Sequence, residues 1–124
     1  KMAIARSASP GILAVLRNDP TPRVIAALLE NPRLAEGLLM PLLASESALP
    51  AVLAVIAGSP KWSVRYPIRL ALCQNPRTPL DRALMLLPML KRGDLESVAA
   101  NLRLKLPLRR RAQLLARGGG ELRI

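Results

Sequence analysis

The side chains that most often carry out chemistry in proteins are sparse in this 124-residue chain. Histidine is absent, which removes the commonest general base and a frequent metal ligand. The eight acidic residues are scattered. Asp94 and Glu96 lie two positions apart at a predicted helix start, where they complement the positive helix N-terminus better than they form a catalytic pair. The sequence therefore predicts no catalytic residue, metal, cofactor or small-molecule substrate.

The single cysteine and a run of three glycines are also considered as parts of a reactive site, and both are better explained by structural roles. Cys73 is the single cysteine, so it offers no intrachain disulfide and no cysteine cluster. It stands among leucines and alanine and is interpreted as a small core residue in a reducing, cytoplasmic compartment. The three glycines at 118–120 lack the Lys-Ser or Lys-Thr that follows in a phosphate-binding loop, and they predict a flexible tail.

Basic residues are the abundant functional side chains, and they are concentrated in the second part of the chain. Residues 1–60 hold five basic and four acidic residues, whereas residues 61–124 hold fourteen basic and four acidic ones. Such an asymmetry indicates a polyanionic partner, either a nucleic acid or an acidic protein or membrane surface. The alternative is that the charges form an ordinary solvated face.

The basic residues fall into two segments. Lys61, Arg65 and Arg69 recur every four residues and should line one face of a helix over 62–74. The segment 103–117 packs six bases into a short span, with Leu108, Ala112 and Leu115 facing inward. The candidate residues for binding a polyanion or a partner are Lys61, Arg65, Arg69, Arg77, Arg103, Lys105, Arg109, Arg110, Arg111 and Arg117.

The elements that must position these residues are short helices. Phenylalanine is absent and leucine and alanine dominate, a composition typical of helix packing, and no strand is evident. Most of the twelve prolines stand at turns or at helix starts. Thr78, for example, should cap a helix whose first residue is Pro79. The predicted helices are 10–16, 22–29, 34–43, 48–57, 62–74, 79–90, 95–101 and 107–116.

A repeat links these helices. Residues 27–33 and 71–77 share an Ala-Leu pair followed by Asn-Pro-Arg, forty-four positions apart. Upstream, Asp19-Pro20 and Val24 correspond to Ser59-Pro60 and Val64 with a shift of forty. A period of this length, with a helix, an Asn-Pro corner and another helix, is typical of stacked helical hairpins.

These motifs resemble the leucine-rich repeat variant and HEAT-like repeats of bacterial proteins. Their units read roughly as Asp-Pro, then Val-Arg, then Ala, then Asn-Pro. The resemblance rests on Asp19-Pro20, Val24, Ala27 and Asn31-Pro32, and again on Val64-Arg65, Ala71 and Asn75-Pro76. It implies a fold and not an activity. The iron–sulfur cluster of some leucine-rich repeat variant proteins does not transfer, because this chain has one cysteine.

HEAT-like folds also include DNA glycosylases, so an enzyme acting on nucleic acid is an alternative. Such an enzyme would be expected to gather aromatic residues and a carboxylate in a cleft, and Trp62, Tyr66 and Asp81 are the candidates here. Two aromatic residues are also a poor supply for stacking on single-stranded bases.

We therefore expect an all-α fold, a right-handed α-solenoid of about seven to eight short helices stacked as hairpins. Residues 1–117 should form one domain and residues 118–124 a flexible Gly-rich tail. The predicted function is that of a non-enzymatic scaffold for protein–protein interaction within a larger assembly. The alternative is binding of RNA, DNA or a ribonucleoprotein through the basic C-terminal half, and a membrane surface is a minor option.

Overall fold

A computed structural model describes residues 22–122 apart from 33 and 46, with the backbone alone described at 24 and 119–122. This part of the chain is all-helical, as predicted, and contains no strand. Its helices are α1 (Pro22–Leu29), α2 (Glu36–Ala44), α3 (Pro50–Ala57), α4 (Tyr66–Gln74), α5 (Leu80–Leu86), α6 (Arg92–Ala100) and α7 (Leu106–Leu122), with a 3-10 turn at Leu87–Met89 after α5. The helix predicted at 10–16 lies outside the described residues.

Several helix boundaries differ from the prediction, and two of these differences are of physical interest. The helix predicted over 62–74 begins at Tyr66, because Pro67 in its interior would clash with the carbonyl four residues earlier and can be accommodated only in the first turn. The last helix was predicted to end at 116 but continues to Leu122. No described glycine has a positive φ angle, so nothing in the backbone conformation ends α7 at Gly118. The predicted helix end at 116 is therefore wrong, while the division into a domain over 1–117 and a tail over 118–124 stays a prediction.

The helices pack in an alternating order. Each helix from α1 to α5 contacts the second helix after it, and α6 packs along α7. The core between them is aliphatic, as the composition predicted, and its largest fully buried side chain is Trp62.

Asparagine marks the same kind of corner at the ends of α1, α4 and α6. In each corner the asparagine N–H donates to the carbonyl three residues earlier, and its own carbonyl accepts from the N–H three residues later. The corners are centred on Asn31 (3.0 and 3.0 Å), Asn75 (3.3 and 3.1 Å) and Asn101 (3.1 and 3.1 Å). The third corner lacks proline, and sequence analysis did not find it.

The asparagine side chains connect neighbouring helices. Asn75 Nδ2 donates to the carbonyls of Leu43 (2.7 Å) and Ser45 (2.9 Å) at the end of α2. Asn101 Nδ2 donates to the side-chain oxygen of Gln74 at 2.9 Å, at the end of α4. The corners at Asn75 and Asn101 therefore each fix the end of the helix two positions earlier in the chain.

Thr78 has a different role from the one predicted. Its buried hydroxyl donates to the carbonyl of Leu72 at 2.7 Å, near the end of α4. The N-cap of α5 is Pro79, without a side-chain capping bond, and the helix begins one residue later at Leu80. The hydroxyl thus adds a second and shorter hydrogen bond to a helix-end carbonyl that also accepts from the Asn75 N–H at 3.3 Å.

Candidate binding surface

The three residues considered for a glycosylase-like cleft do not form one. Trp62 is buried, and its Nε1–H donates to the Leu29 carbonyl at 2.9 Å. The hydroxyl of Tyr66 donates to a carboxylate oxygen of Asp94 and accepts from the N–H of Lys91. Asp81 is exposed in the first turn of α5. Trp62 and Tyr66 are thus bound into the fold, and Asp94 has a tertiary partner that the sequence interpretation did not include.

The cationic ridge predicted for Lys61, Arg65 and Arg69 is absent, because the first two residues precede α4 and lie in turns. Lys61 Nζ and the Arg65 guanidinium lie 5.5 and 4.6 Å from the centre of the Trp62 ring. A guanidinium nitrogen of Arg65 also lies 3.7 Å from a carboxylate oxygen of Glu36. These two bases cover the edge of the core beside α1 and α2.

The guanidinium of Arg69 is hydrogen-bonded to backbone carbonyls. Its guanidinium donates to Ser63 (3.3 Å), Val64 (3.2 Å) and Met89 (3.3 Å), which joins the turn before α4 to the 3-10 turn after α5. The forked geometry of arginine suits this role, because its five donors lie in one plane. Arg69 therefore uses donors of its guanidinium to hold two turns of the fold together.

Two further residues that were predicted to bind a partner each donate one hydrogen bond to a backbone carbonyl of the fold. Arg77 Nε donates to the Ala48 carbonyl at 2.7 Å, and Arg109 Nε donates to the Ala99 carbonyl at 3.2 Å. Arg103 also has an interaction within the fold. By contrast, the exposed side chains of Lys105, Arg110, Arg111 and Arg117 make no hydrogen bond or ion pair among the described residues. The structure thus separates the ten candidates, and the exposed cations of the second segment lie on or beside α7.

The outer face of α7, defined by Leu106, Arg110 and Leu114, is exposed although two of its three residues are leucine. Leu106 is 49% and Leu114 is 48% exposed. At about 100° per residue, the three residues fall within about 80° of arc, opposite the buried face. The buried face contains Leu108 and Ala112, as the sequence predicted, and Leu115, the third predicted inward residue, is partly buried against the core. A simple count of apolar positions around this helix would have found the second apolar face.

A cleft of about 440 Å³ separates α6 from α7 on one side. It is lined by Glu96, Ala99, Ala100, Arg109, Gln113, Ala116 and Arg117. The alanines form its apolar lining, while Arg109, Gln113 and Arg117 lie one turn apart along α7 and Glu96 lies on α6. Neither Glu96 nor Arg117 has an ion-pair or hydrogen-bond partner within the described part of the chain. Sequence analysis named the two arginines but neither Glu96 nor Gln113 as cleft residues.

Cys73 is a core residue, as predicted. It is fully buried, and its Sγ–H donates to the Ala83 carbonyl at 3.8 Å. Burial raises the pKa of the thiol to about 12, with a smaller opposing effect from Arg69. No group of three or more His, Cys, Asp or Glu that could hold a metal occurs among the described residues.

Comparison with other proteins gives no family for this chain. Neither a protein-family model, nor a curated protein, nor a solved structure matches it. None of the helices described here combines the length and apolar character needed to cross a membrane.

Proposed function

We propose that this chain is a non-enzymatic binding module, a scaffold of stacked helical hairpins that binds a protein partner through the outer face of α7. The alternating helix contacts and the three asparagine corners support a solenoid of the HEAT-like or leucine-rich repeat variant type. In such solenoids each repeat contacts its neighbours and leaves a continuous surface for a partner. Cytoplasmic location stays a prediction from the single buried cysteine.

The observation that carries this proposal is the pair of exposed leucines on α7. Leu106 and Leu114 lie two turns apart on a helix whose other face already packs on the core. Arg110 stands between them and is exposed. Arginine and large apolar side chains together favour a protein interface, where leucines gain from leaving water and the guanidinium binds a carboxylate. We therefore propose an acidic partner, whose charge complements the arginines of α7.

Nucleic-acid binding is the second candidate, favoured by the exposed cations Lys105, Arg110, Arg111 and Arg117. A phosphate backbone would bind these side chains and would have no use for the leucines between them. The other predicted bases do not extend this surface, because Arg65 lies against Glu36 and Arg69 against backbone carbonyls. The two candidates therefore differ in whether binding requires leucine.

A binding assay on leucine variants tests the proposal. The probes are a labelled amphipathic peptide with leucine and glutamate on one helical face, a single-stranded RNA and a DNA duplex, each at several salt concentrations. The test variant is the double substitution Leu106→Ser and Leu114→Ser. The control is Val64→Ser, an equally apolar exposed site (62%) away from α7. Circular dichroism verifies that every variant is folded.

We expect the peptide to bind the original chain and the Val64→Ser variant alike, and to bind the double variant at least about tenfold more weakly, the factor that corresponds to roughly 1.4 kcal/mol. If RNA or DNA binds more tightly than the peptide, with a steep salt dependence and no effect of the leucine substitutions, the nucleic-acid function replaces this one.

A further inference from the structure

The cleft between α6 and α7 differs from the outer face of α7 in that it carries charges of both signs. Arg109 and Arg117 lie on α7, and Glu96 lies on α6. Ala99, Ala100 and Ala116 line the space with small side chains, so a chain can approach the helix backbones closely. The volume, about 440 Å³, lies within the range of about 300–1,000 Å³ typical of ligand sites.

Arg109 is held in place before any ligand binds. Its Nε–H donates to the carbonyl of Ala99 at 3.2 Å, and its side chain is half-buried. The two terminal nitrogens keep donors that this bond does not use. A guanidinium fixed in this way loses less conformational freedom when it binds a carboxylate than a mobile surface side chain does.

The spacing along α7 sets the geometry of a ligand. Arg109 and Arg117 are eight residues apart, which corresponds to about 12 Å along the helix axis. In an extended peptide, residues four apart are about 13 Å apart and their side chains point to the same side. An extended segment therefore matches the site.

The carboxylate of Glu96 distinguishes a peptide from a nucleic acid. A phosphodiester backbone presents only negative charge, so it would be repelled by Glu96 and would leave that group without a partner. A peptide has N–H donors between its acidic side chains, and these can reach Glu96. The side-chain amide of Gln113, between the two arginines, can both donate to and accept from a peptide backbone.

We propose that the α6–α7 cleft binds an extended acidic peptide segment that carries two carboxylates four residues apart. One carboxylate binds Arg109, the other binds Arg117, and the backbone between them lies over the alanines beside Glu96 and Gln113. This assignment deepens the proposed function, because it rests on a protein partner and names the part of that partner that the cleft recognises.

The probe that tests the cleft is a fluorescent, end-blocked pentapeptide with a glutamate at each end and Gly-Ser-Gly between them. Its counterpart has glutamine at both ends. The test variant is Ala100→Trp, which fills the cleft from an exposed position. Its matched control is Ala51→Trp, an exposed alanine on α3 outside the cleft.

We expect the glutamate peptide to bind the original chain and the Ala51→Trp variant with the same affinity. The Ala100→Trp variant and the glutamine peptide should each weaken binding at least about tenfold. Arg117→Gln should weaken binding in the same direction, and Arg92→Gln, an exposed base on α6 outside the cleft, should leave it unchanged. Glu96→Gln should increase binding of single-stranded RNA relative to the peptide, since it removes the repulsive carboxylate.

The proposal is overturned if the glutamate peptide does not bind at about 1 mM, the weak end of specific affinity, or if Ala100→Trp leaves its affinity unchanged. It is also overturned if RNA binds the cleft more tightly than the peptide and Ala100→Trp abolishes that binding. The amphipathic helical probe, measured on the same variants, separates the two proposals. Suppose the acidic pentapeptide does not bind, but the helical probe binds the Ala100→Trp variant and is released by the double substitution Leu106→Ser and Leu114→Ser. The proposal for the cleft is then wrong, and the proposed function at the outer face of α7 stands.

Discussion

The indole Nε1–H of Trp62 donates a hydrogen bond to the backbone carbonyl of Leu29 at 2.9 Å, across 33 positions of sequence. Leu29 is the last residue of α1, where helical carbonyls lack an intrahelical partner. Trp62 is buried under the side chains of Lys61 and Arg65. One side chain therefore fixes the end of α1 against the turn that leads into α4.

Replacing Trp62 by phenylalanine keeps most of the apolar volume and removes the donor. We expect the free energy of unfolding to fall by about 1–3 kcal/mol, the cost of leaving a buried carbonyl unpaired. Val64→Ala, at an exposed position two residues away, should change it by less than about 0.5 kcal/mol. Urea unfolding followed by circular dichroism measures both. Equal effects of the two substitutions would contradict the role given to the indole.

Asn75 should be the most sensitive of the connecting asparagines. Asn75→Ala removes the donors to Leu43 and Ser45, so we expect a loss of about 2–4 kcal/mol. Asn101→Ala removes a bond to the half-buried side chain of Gln74, where water can substitute, and should cost about 1 kcal/mol. Thermal and urea unfolding of the two variants give the comparison. A larger loss at Asn101 would show that the corners are ranked wrongly.

Cys73 should resist chemical modification in the folded chain. Its pKa of about 12 leaves almost no thiolate near neutral pH, and the thiolate is the form that reacts. Iodoacetamide should therefore label Cys73 slowly in buffer and rapidly in denaturant, as mass spectrometry would measure. Rapid labelling of the folded chain would mean that the thiol is accessible and would contradict its place in the core.

The same shift of the Cys73 pKa predicts a loss of stability in alkali. The folded chain keeps the thiol protonated up to a pKa of about 12, whereas the unfolded thiol ionises from about 9. As the pH rises between these values the unfolded state loses a proton first, so the folded state loses stability. The free energy of unfolding of the original chain should fall relative to Cys73→Ala over this interval. Parallel pH profiles of the two proteins would contradict the expectation.

Tyr66 is the single tyrosine, so its ionisation can be followed by ultraviolet absorbance. Partial burial raises the pKa of its hydroxyl above the ordinary value of 10.0, and the hydrogen bond to Asp94 raises it further. The absorbance midpoint should therefore lie above that of the unfolded chain. Asp94→Asn should move the midpoint downward, because it removes the negative charge beside the phenol, and Asp81→Asn should not. An unchanged midpoint in Asp94→Asn would contradict the contact between the two side chains.

The helices could largely be predicted from the sequence because their signals are local. The helix predicted at 22–29 has the bounds of α1, and Leu108 and Ala112 face inward on α7 as their spacing indicated. Two helix boundaries were predicted wrongly, one beside a proline and one beside a run of glycines. The helix predicted over 62–74 begins at Tyr66, one residue before Pro67, and the last helix, predicted to end at 116, continues through the glycines to Leu122.

The candidate site was less predictable, because a charge pattern does not say which bases the fold itself will use. Arg69 and Arg117 were both predicted as binding residues, yet Arg69 binds three carbonyls from the turns before α4 and after α5, while Arg117 lines the α6–α7 cleft. Glu96 was interpreted as a helix-start residue, and its position opposite those arginines depends on how α6 packs along α7.

The sequence by itself determined the helical class, the aliphatic core and the place of Cys73 in it, because composition, apolar spacing and proline positions act over one or two turns of chain. The tertiary structure alone decided that Trp62 would bind the Leu29 carbonyl, that Asn75 would bind the end of α2, and that Arg109 and Arg117 would lie across a cleft from Glu96. Those relationships join residues far apart in sequence, and their geometry follows from how whole helices pack against one another.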